Sequence, residues 1–139
     1  MGNYRALTVQ GDPKSIKGEP LGYRTAMQFL APSDLSGLLN VCGHSTVGCV
    51  SGCLNLAGRG HFTNIQQARI NRTELFVKDR GFYWRRLAYE LMQVVADAEY
   101  EDLYPAVRLN ATSDLPWERI RVSYGNVDSK NIMELFPNI

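Results

Sequence analysis

The sequence predicts an α/β fold built on a βαβ unit. Three observations predict it. Residues 23–30 (YRTAMQFL) alternate and carry an aromatic and large apolar side chains, which reads as a strand. A helical period then runs from Thr63 towards Glu99, and a short apolar run, AVRLN, follows Pro105. Strand, helices and strand in that order make parallel neighbours joined by a right-handed crossover.

The elements follow in order. Residues 4–10 (YRALTVQ) read as a short strand. GDPKSIKGEPLG is a turn-rich connection, punctuated by Pro13, Gly18, Pro20 and Gly22. APSDLSGLLN ends the strand at 23–30 and leads into a glycine-rich loop. Thr63 is the expected N-cap of the first long helix, with Gln66 completing a capping box. Ile65, Ala68, Leu75 and Phe76 fall on one face of that helix, and Asp79, Arg80 and Gly81 break it. The second long helix buries Leu87, Leu91, Val94, Val95 and Ala98. Pro105 opens the next strand, which ends in Asn110, Thr112, Ser113 and Asp114. DLPWERIRVSYG reads as loop and SKNIMELFPNI as a short helix. Trp84 and Trp117 are assigned to packing.

Composition narrows the function. The 139 residues are 45% hydrophobic and 21% charged, which fits one globular domain over 1–139. Fifteen basic and fourteen acidic residues leave a net charge of +1, so bulk electrostatics give no indication of nucleic acid. No apolar run approaches the ~20 residues of a membrane span. The N-terminus lacks the apolar core of a secretory signal, and Ala6 stands where a myristoylation site needs Ser or Thr. The expectation is a cytoplasmic protein with no membrane contact.

All three cysteines, Cys42, Cys49 and Cys53, lie in the stretch NVCGHSTVGCVSGCLNLAGRG. Three thiols cannot all pair within one chain, and clustered in a cytoplasmic protein they read as metal ligands. Glycines on both sides let the backbone wrap a small object. Three chemistries compete. Three thiolates suit an iron–sulfur cluster with one iron left open. A structural zinc would need His44 or His61 as fourth ligand, but the close cysteine pairs of such sites are missing, and His44 sits awkwardly near Cys42. Three buried, unligated thiols are the third option. The loop follows a strand and precedes a helix, where α/β folds bind ligands. If the strands are parallel neighbours, Asn110 to Asp114 face it across the same sheet end.

The residues LAPSDLSG, NVC, GC, CLN and AGRG, then QARINRTELF, then RLNATSDLPWE, resemble the bacteriophage family called gene product 88, over most of residues 12–139. That resemblance implies a host-cell cytoplasmic location during infection. It also implies kinship with radical S-adenosylmethionine (SAM) proteins, and hence a partial (β/α) barrel, incomplete, with helices on one face. Cys42, Cys49 and Cys53 would then ligate a [4Fe-4S] cluster. Asn110, Thr112, Ser113 and Asp114 would face the amino acid moiety of SAM, and Arg59, Arg69 and Arg72 would form an anion site beside the loop. The cysteine spacing is longer than in radical SAM proteins, and Gly52 stands where an aromatic residue usually precedes the third cysteine. Family members continue past FPN at 136–138, so the barrel is expected to be cut short.

Two functions follow. One is an iron–sulfur protein of radical SAM ancestry. The other is a non-catalytic binding protein that modulates a host defence complex, its loop holding Zn²⁺ or no metal. In either case self-association or a protein partner is expected. Ile132, Met133, Leu135, Phe136 and Ile139 are the apolar residues such a partner would cover.

Overall fold

The computed structural model describes residues 4–139, the side chains of residues 128 and 129 excepted. Its centre is a three-stranded sheet in the order β1 (Thr8–Val9), β2 (Tyr23–Met27), β3 (Tyr104–Arg108). β2 and β3 run parallel, with Tyr23 opposite Tyr104 and Met27 opposite Arg108. β1 lies antiparallel on the other edge of β2, with Thr8 opposite Met27. The crossover between β2 and β3 holds the short helix α2 (Val47–Ser51) and the long helices α3 (Thr63–Lys78) and α4 (Arg80–Tyr100). A shorter helix, α1 (Pro13–Ile16), links β1 to β2. The β2–β3 pairing realises the expected parallel unit. The described residues contain five α-helices and two small sheets, a mixed α/β arrangement in which neither sheet closes on itself.

α4 is the spine. Its buried face carries Tyr83, Trp84, Leu87, Leu91, Val94 and Ala98, and it packs on β2, β3 and a later strand, β4 (Arg121–Tyr124). Trp84 and Trp117 meet Phe76 and Tyr83 in an edge-to-face cluster with ring centroids 5.1 to 6.1 Å apart, so both tryptophans are core residues. Such contacts add to the burial of the rings themselves. Glu90, on the same face, is buried. It accepts from the backbone N–H groups of Ala6 (3.1 Å) and Leu7 (2.7 Å) and from Arg86 Nε (2.6 Å). That carboxylate fastens the N-terminal segment to the helix, and satisfied donors are what make its burial tolerable.

Three expectations are corrected. The first strand is two residues long rather than seven, because Ala6 and Leu7 give their N–H groups to Glu90 instead of to a neighbouring strand. α3 begins at Thr63 with Phe62 as N-cap and no side-chain cap. Gln66 donates instead to the Asn55 carbonyl (3.3 Å), so the expected capping box is not made. Finally, β4 (Arg121–Tyr124), in the segment read as loop, forms a hairpin with β5 (Val127–Asn131), whose last residues were read as the start of the final helix. Gly125, at φ +55°, takes the left-handed position that such two-residue turns need.

The apolar C-terminal residues are less bare than expected. Ile132 of α5 (Ile132–Leu135) is buried in the core, and Leu135, Phe136 and Ile139 pack against it. Met133 remains exposed. The break between the long helices falls where the sequence placed it. The single residue Asp79 separates them, and its carboxylate accepts from Phe82 N (3.1 Å), capping α4.

Candidate functional site

The site lies at the carboxyl ends of β2 and β3. Beyond Met27 the two strands stay in register through Gln28 N to Arg108 O (2.9 Å) and Ala111 N to Gln28 O (3.3 Å). The chain then turns on Ser33, whose φ of +53° is in the left-handed region. That turn holds the start of the cysteine loop. Ser33 N–H donates to Cys42 Sγ (3.2 Å), and Ser33 O accepts from Val41 N (3.0 Å). From the β3 side, Asp114 N donates to Val41 O (2.7 Å), and the Cys42 thiol reaches Thr112 O (3.7 Å). The loop and the 110–114 turn are therefore adjacent, as parallel strands require.

The polar residues of that turn are mostly engaged internally. Asn110 Oδ1 accepts from Ser113 Oγ (2.8 Å), Leu115 N (3.2 Å) and Trp117 Nε1 (2.7 Å), and its Nδ2 donates to Leu115 O (2.9 Å). Thr112 is buried and donates to Leu30 O (2.6 Å). Three of the four side chains singled out as ligand contacts thus brace the turn, and Asp114 alone is exposed.

Cys42 is half-buried, Cys49 exposed on α2, and Cys53 half-buried; all three are free thiols. Thr46 caps α2 by accepting from Cys49 N (3.1 Å), and Cys53 Sγ accepts from Asn55 N (3.5 Å). Burial pushes the Cys42 thiol up, and the nearby Cys53, Cys49 and Asp114 push it the same way, against the Ser33 N–H that favours its thiolate. Cys42 is therefore close enough to the other two cysteines to feel their charge.

Beside the loop is a cavity of about 590 Å³. Its floor is the face of the sheet on which Thr8, Met27 and Arg108 stand side by side. Ala26 and Gln28 point the other way, into the core and to the Tyr83 hydroxyl. Ile65, Ala68, Arg69 and Arg72 of α3 form one wall, and Leu54, Ala57, Arg59 and Gly60 another. Gly60 is required there: a Cβ would lie 2.5 Å from Leu54 O and 3.1 Å from Asn55 O. Asn55, two residues after Cys53, is buried and accepts from Arg69 Nη1. Through Asn55 the cysteine loop and the cavity share a wall.

A family model described as Gene product 88 matches residues 3–139. The chain belongs to the gene product 88 family. No curated protein and no solved structure matches it.

For this family member the donor set can be compared with the group it is expected to hold. In type the three thiols fit a thiolate-bound metal or cluster. In position they are neighbours, but among the described residues no group of three or more His, Cys, Asp and Glu side chains is placed to hold a metal ion. His44 is exposed, and His61 is exposed with its ring against Phe62 (4.8 Å) and Nδ1 at the Gly58 carbonyl. Among the described residues no helix is long and apolar enough to cross a membrane. Sequence reasoning missed Asn55, Phe29 and Glu90. Asn55 lay within the CLN motif, but no role was assigned to it.

Proposed function

We propose that this protein is an iron–sulfur protein of the gene product 88 family, with Cys42, Cys49 and Cys53 holding a [4Fe-4S] cluster and the adjoining cavity receiving S-adenosylmethionine. The observation that carries the reading is that the loop bearing all three free thiols starts at the carboxyl ends of parallel strands and adjoins, at Leu54, a cavity of ligand size. Such a cluster supplies one electron to a ligand bound at its open iron. The chain's own residues supply the rest. Ser33 N–H stabilises the Cys42 thiolate, Asn55 fixes the loop against α3 through Arg69, and Met27, Phe29 and Ile65 line the cavity with apolar surface that excludes water. Anaerobic purification with iron and sulfide analysis tests the reading. Brown protein whose colour and iron disappear in Cys49→Ser supports it. Colourless protein that retains zinc or no metal overturns it.

A second reading is favoured by a different observation. Leu21, Tyr23, Tyr100 and Tyr104 are exposed near the amino ends of the same strands, with the Tyr23 and Tyr104 rings 6.1 Å apart. Tyrosine-rich exposed surface suits a protein interface, so we propose self-association or a protein partner there, as a binding protein acting on a host complex would need. A light-scattering mass that rises with concentration, and falls back in Tyr104→Ser, supports self-association. A monomer that captures no host protein through this patch removes the reading.

A further inference from the structure

We infer that Arg69 and Arg72 form a seat for the oxyanion group, phosphate or carboxylate, of a small ligand whose apolar part lies against Met27 and Phe29. The inference shares with the preceding section the premise that the cavity binds a ligand. It does not need the cysteines to hold iron.

Charge is the first support. The cavity is lined by Lys14, Arg59, Arg69, Arg72 and Arg108 against a single acid, Asp12. Asp12 Oδ1 accepts from Lys14 N (2.8 Å) as the cap of α1, and its charge acts on Arg69 only from beyond salt-bridge distance. Burial is the second. Arg69 is only 7% exposed, yet among the described residues no carboxylate lies within salt-bridge distance of it. A buried cation without a counter-charge is costly, and a protein that keeps one is usually organised around a partner.

The donor inventory is the third. A guanidinium has five N–H donors. Arg69 gives one to Asn55 Oδ1, and its Nε is buried with no acceptor. Its cationic carbon lies over the Phe29 ring at 5.0 Å, which fixes the plane of the group. Arg72 is held by neutral acceptors, Arg5 O (2.7 Å from Nε) and Phe29 O (3.3 Å from Nη1). The two arginines are one helical turn apart on α3 and line the same wall of the cavity. Planar, fixed forks of this kind match the oxygens of phosphate and carboxylate. The volume admits a small molecule rather than a polymer segment.

Isothermal titration of the full-length chain with inorganic phosphate, and separately with malonate, tests the seat at low chloride. The expected result is saturable one-to-one binding of at least one anion, weakened about tenfold or more in Arg69→Met and unchanged in Arg121→Gln on the β4 hairpin. Binding of phosphate alone assigns a phosphate ester, and binding of malonate alone assigns a carboxylate. Binding of neither overturns the inference, as does equal loss in both variants. If Arg69→Met does not fold, Arg72→Gln, which alters the other half of the seat, replaces it, and unchanged affinity there overturns the inference. Colourless protein that still binds the anion would refute the cluster and leave the seat standing.

Discussion

The two ends of the β2–β3 pair treat a buried arginine in opposite ways. At the amino end, Arg24 is buried and its Nη1 contacts Glu19 (3.0 Å) and Glu101 (3.1 Å). Its Nε is also without an acceptor, but the charge is fully answered. At the carboxyl end, Arg69 is equally buried and meets only an amide oxygen and an aromatic face. Burying a charge costs free energy at both ends. The amino end recovers that cost inside the chain, so it needs nothing from outside. The carboxyl end does not, which is the pattern of a fold whose stability and ligand binding are separated along the strands.

The largest expected effect tests that separation directly. Arg24→Met should destabilise the protein by about 3 kcal/mol, because it leaves two carboxylates facing each other beside an apolar side chain. The figure stays at the low end because Glu19 and Glu101 are about a third exposed and can rehydrate. Arg69→Met should cost less, about 1 kcal/mol, because removing an unanswered buried charge offsets the loss of the donor to the buried Asn55 Oδ1. Urea unfolding with unchanged m-values measures both. Equal losses in the two variants would mean that Arg69 is a structural residue like Arg24.

Next in size is Gly60→Ala, expected to cost about 2 kcal/mol, since the new Cβ meets two backbone carbonyls that cannot give way cheaply. The matching change Gly58→Ala meets no atom within 4 Å and pays only for its φ of +53°, about 1 kcal/mol. Thermal melts of both variants rank them. The reverse order would show that the wall shared by the cysteine loop and the cavity is pliable.

The scaffold was easier to read from sequence than the candidate site. Parallel pairing, the α4 stripe and the packing of Trp84 and Trp117 follow from periods of two and 3.6 residues, which are local signals. The hairpin was missed although Gly125-Asn126 is a turn signal. Its strands are short and mixed, and among their described side chains only Val122 is fully buried. Thr63 looked like a cap because the cap pattern was judged within the helix, whereas Gln66 is drawn away by Asn55, eleven residues back. For the site, the cysteines and Arg59, Arg69 and Arg72 were legible as a set. What no local pattern carries is that Arg69 lacks a carboxylate, because the absence of a counter-charge is decided by everything that packs around it. Asn110 shows the converse. Its position at a strand end suggested a ligand contact, and only the folded turn reveals that its hydrogen bonds are used.

The smallest expected effects concern the thiols in metal-free protein. Cys49→Ser alters an exposed side chain and should move stability by less than about 0.5 kcal/mol. Cys42→Ala removes the acceptor of the Ser33 N–H and should cost about 1 kcal/mol. Reactivity separates the same residues. Thiolate is the form that alkylates, and burial together with the charges of Cys53, Cys49 and Asp114 raises the Cys42 pKa. At neutral pH Cys42 is therefore held as thiol, and iodoacetamide should label Cys49 before Cys42. The Cys42 rate should climb as pH rises towards that raised pKa. Asp114→Asn removes one negative charge from the surroundings, which lowers the Cys42 pKa and increases the thiolate fraction at a given pH. Labelling of Cys42 should then be faster, and the gain should shrink in high salt, because Asp114 is exposed and its field is screened. Peptide mapping after timed alkylation reads all of this. A Cys42 rate indifferent to Asp114 would mean that burial alone sets its reactivity. The coupling of the β3 turn to the cysteine loop would then rest on the contacts of Asp114 N with Val41 O and of the Cys42 thiol with Thr112 O.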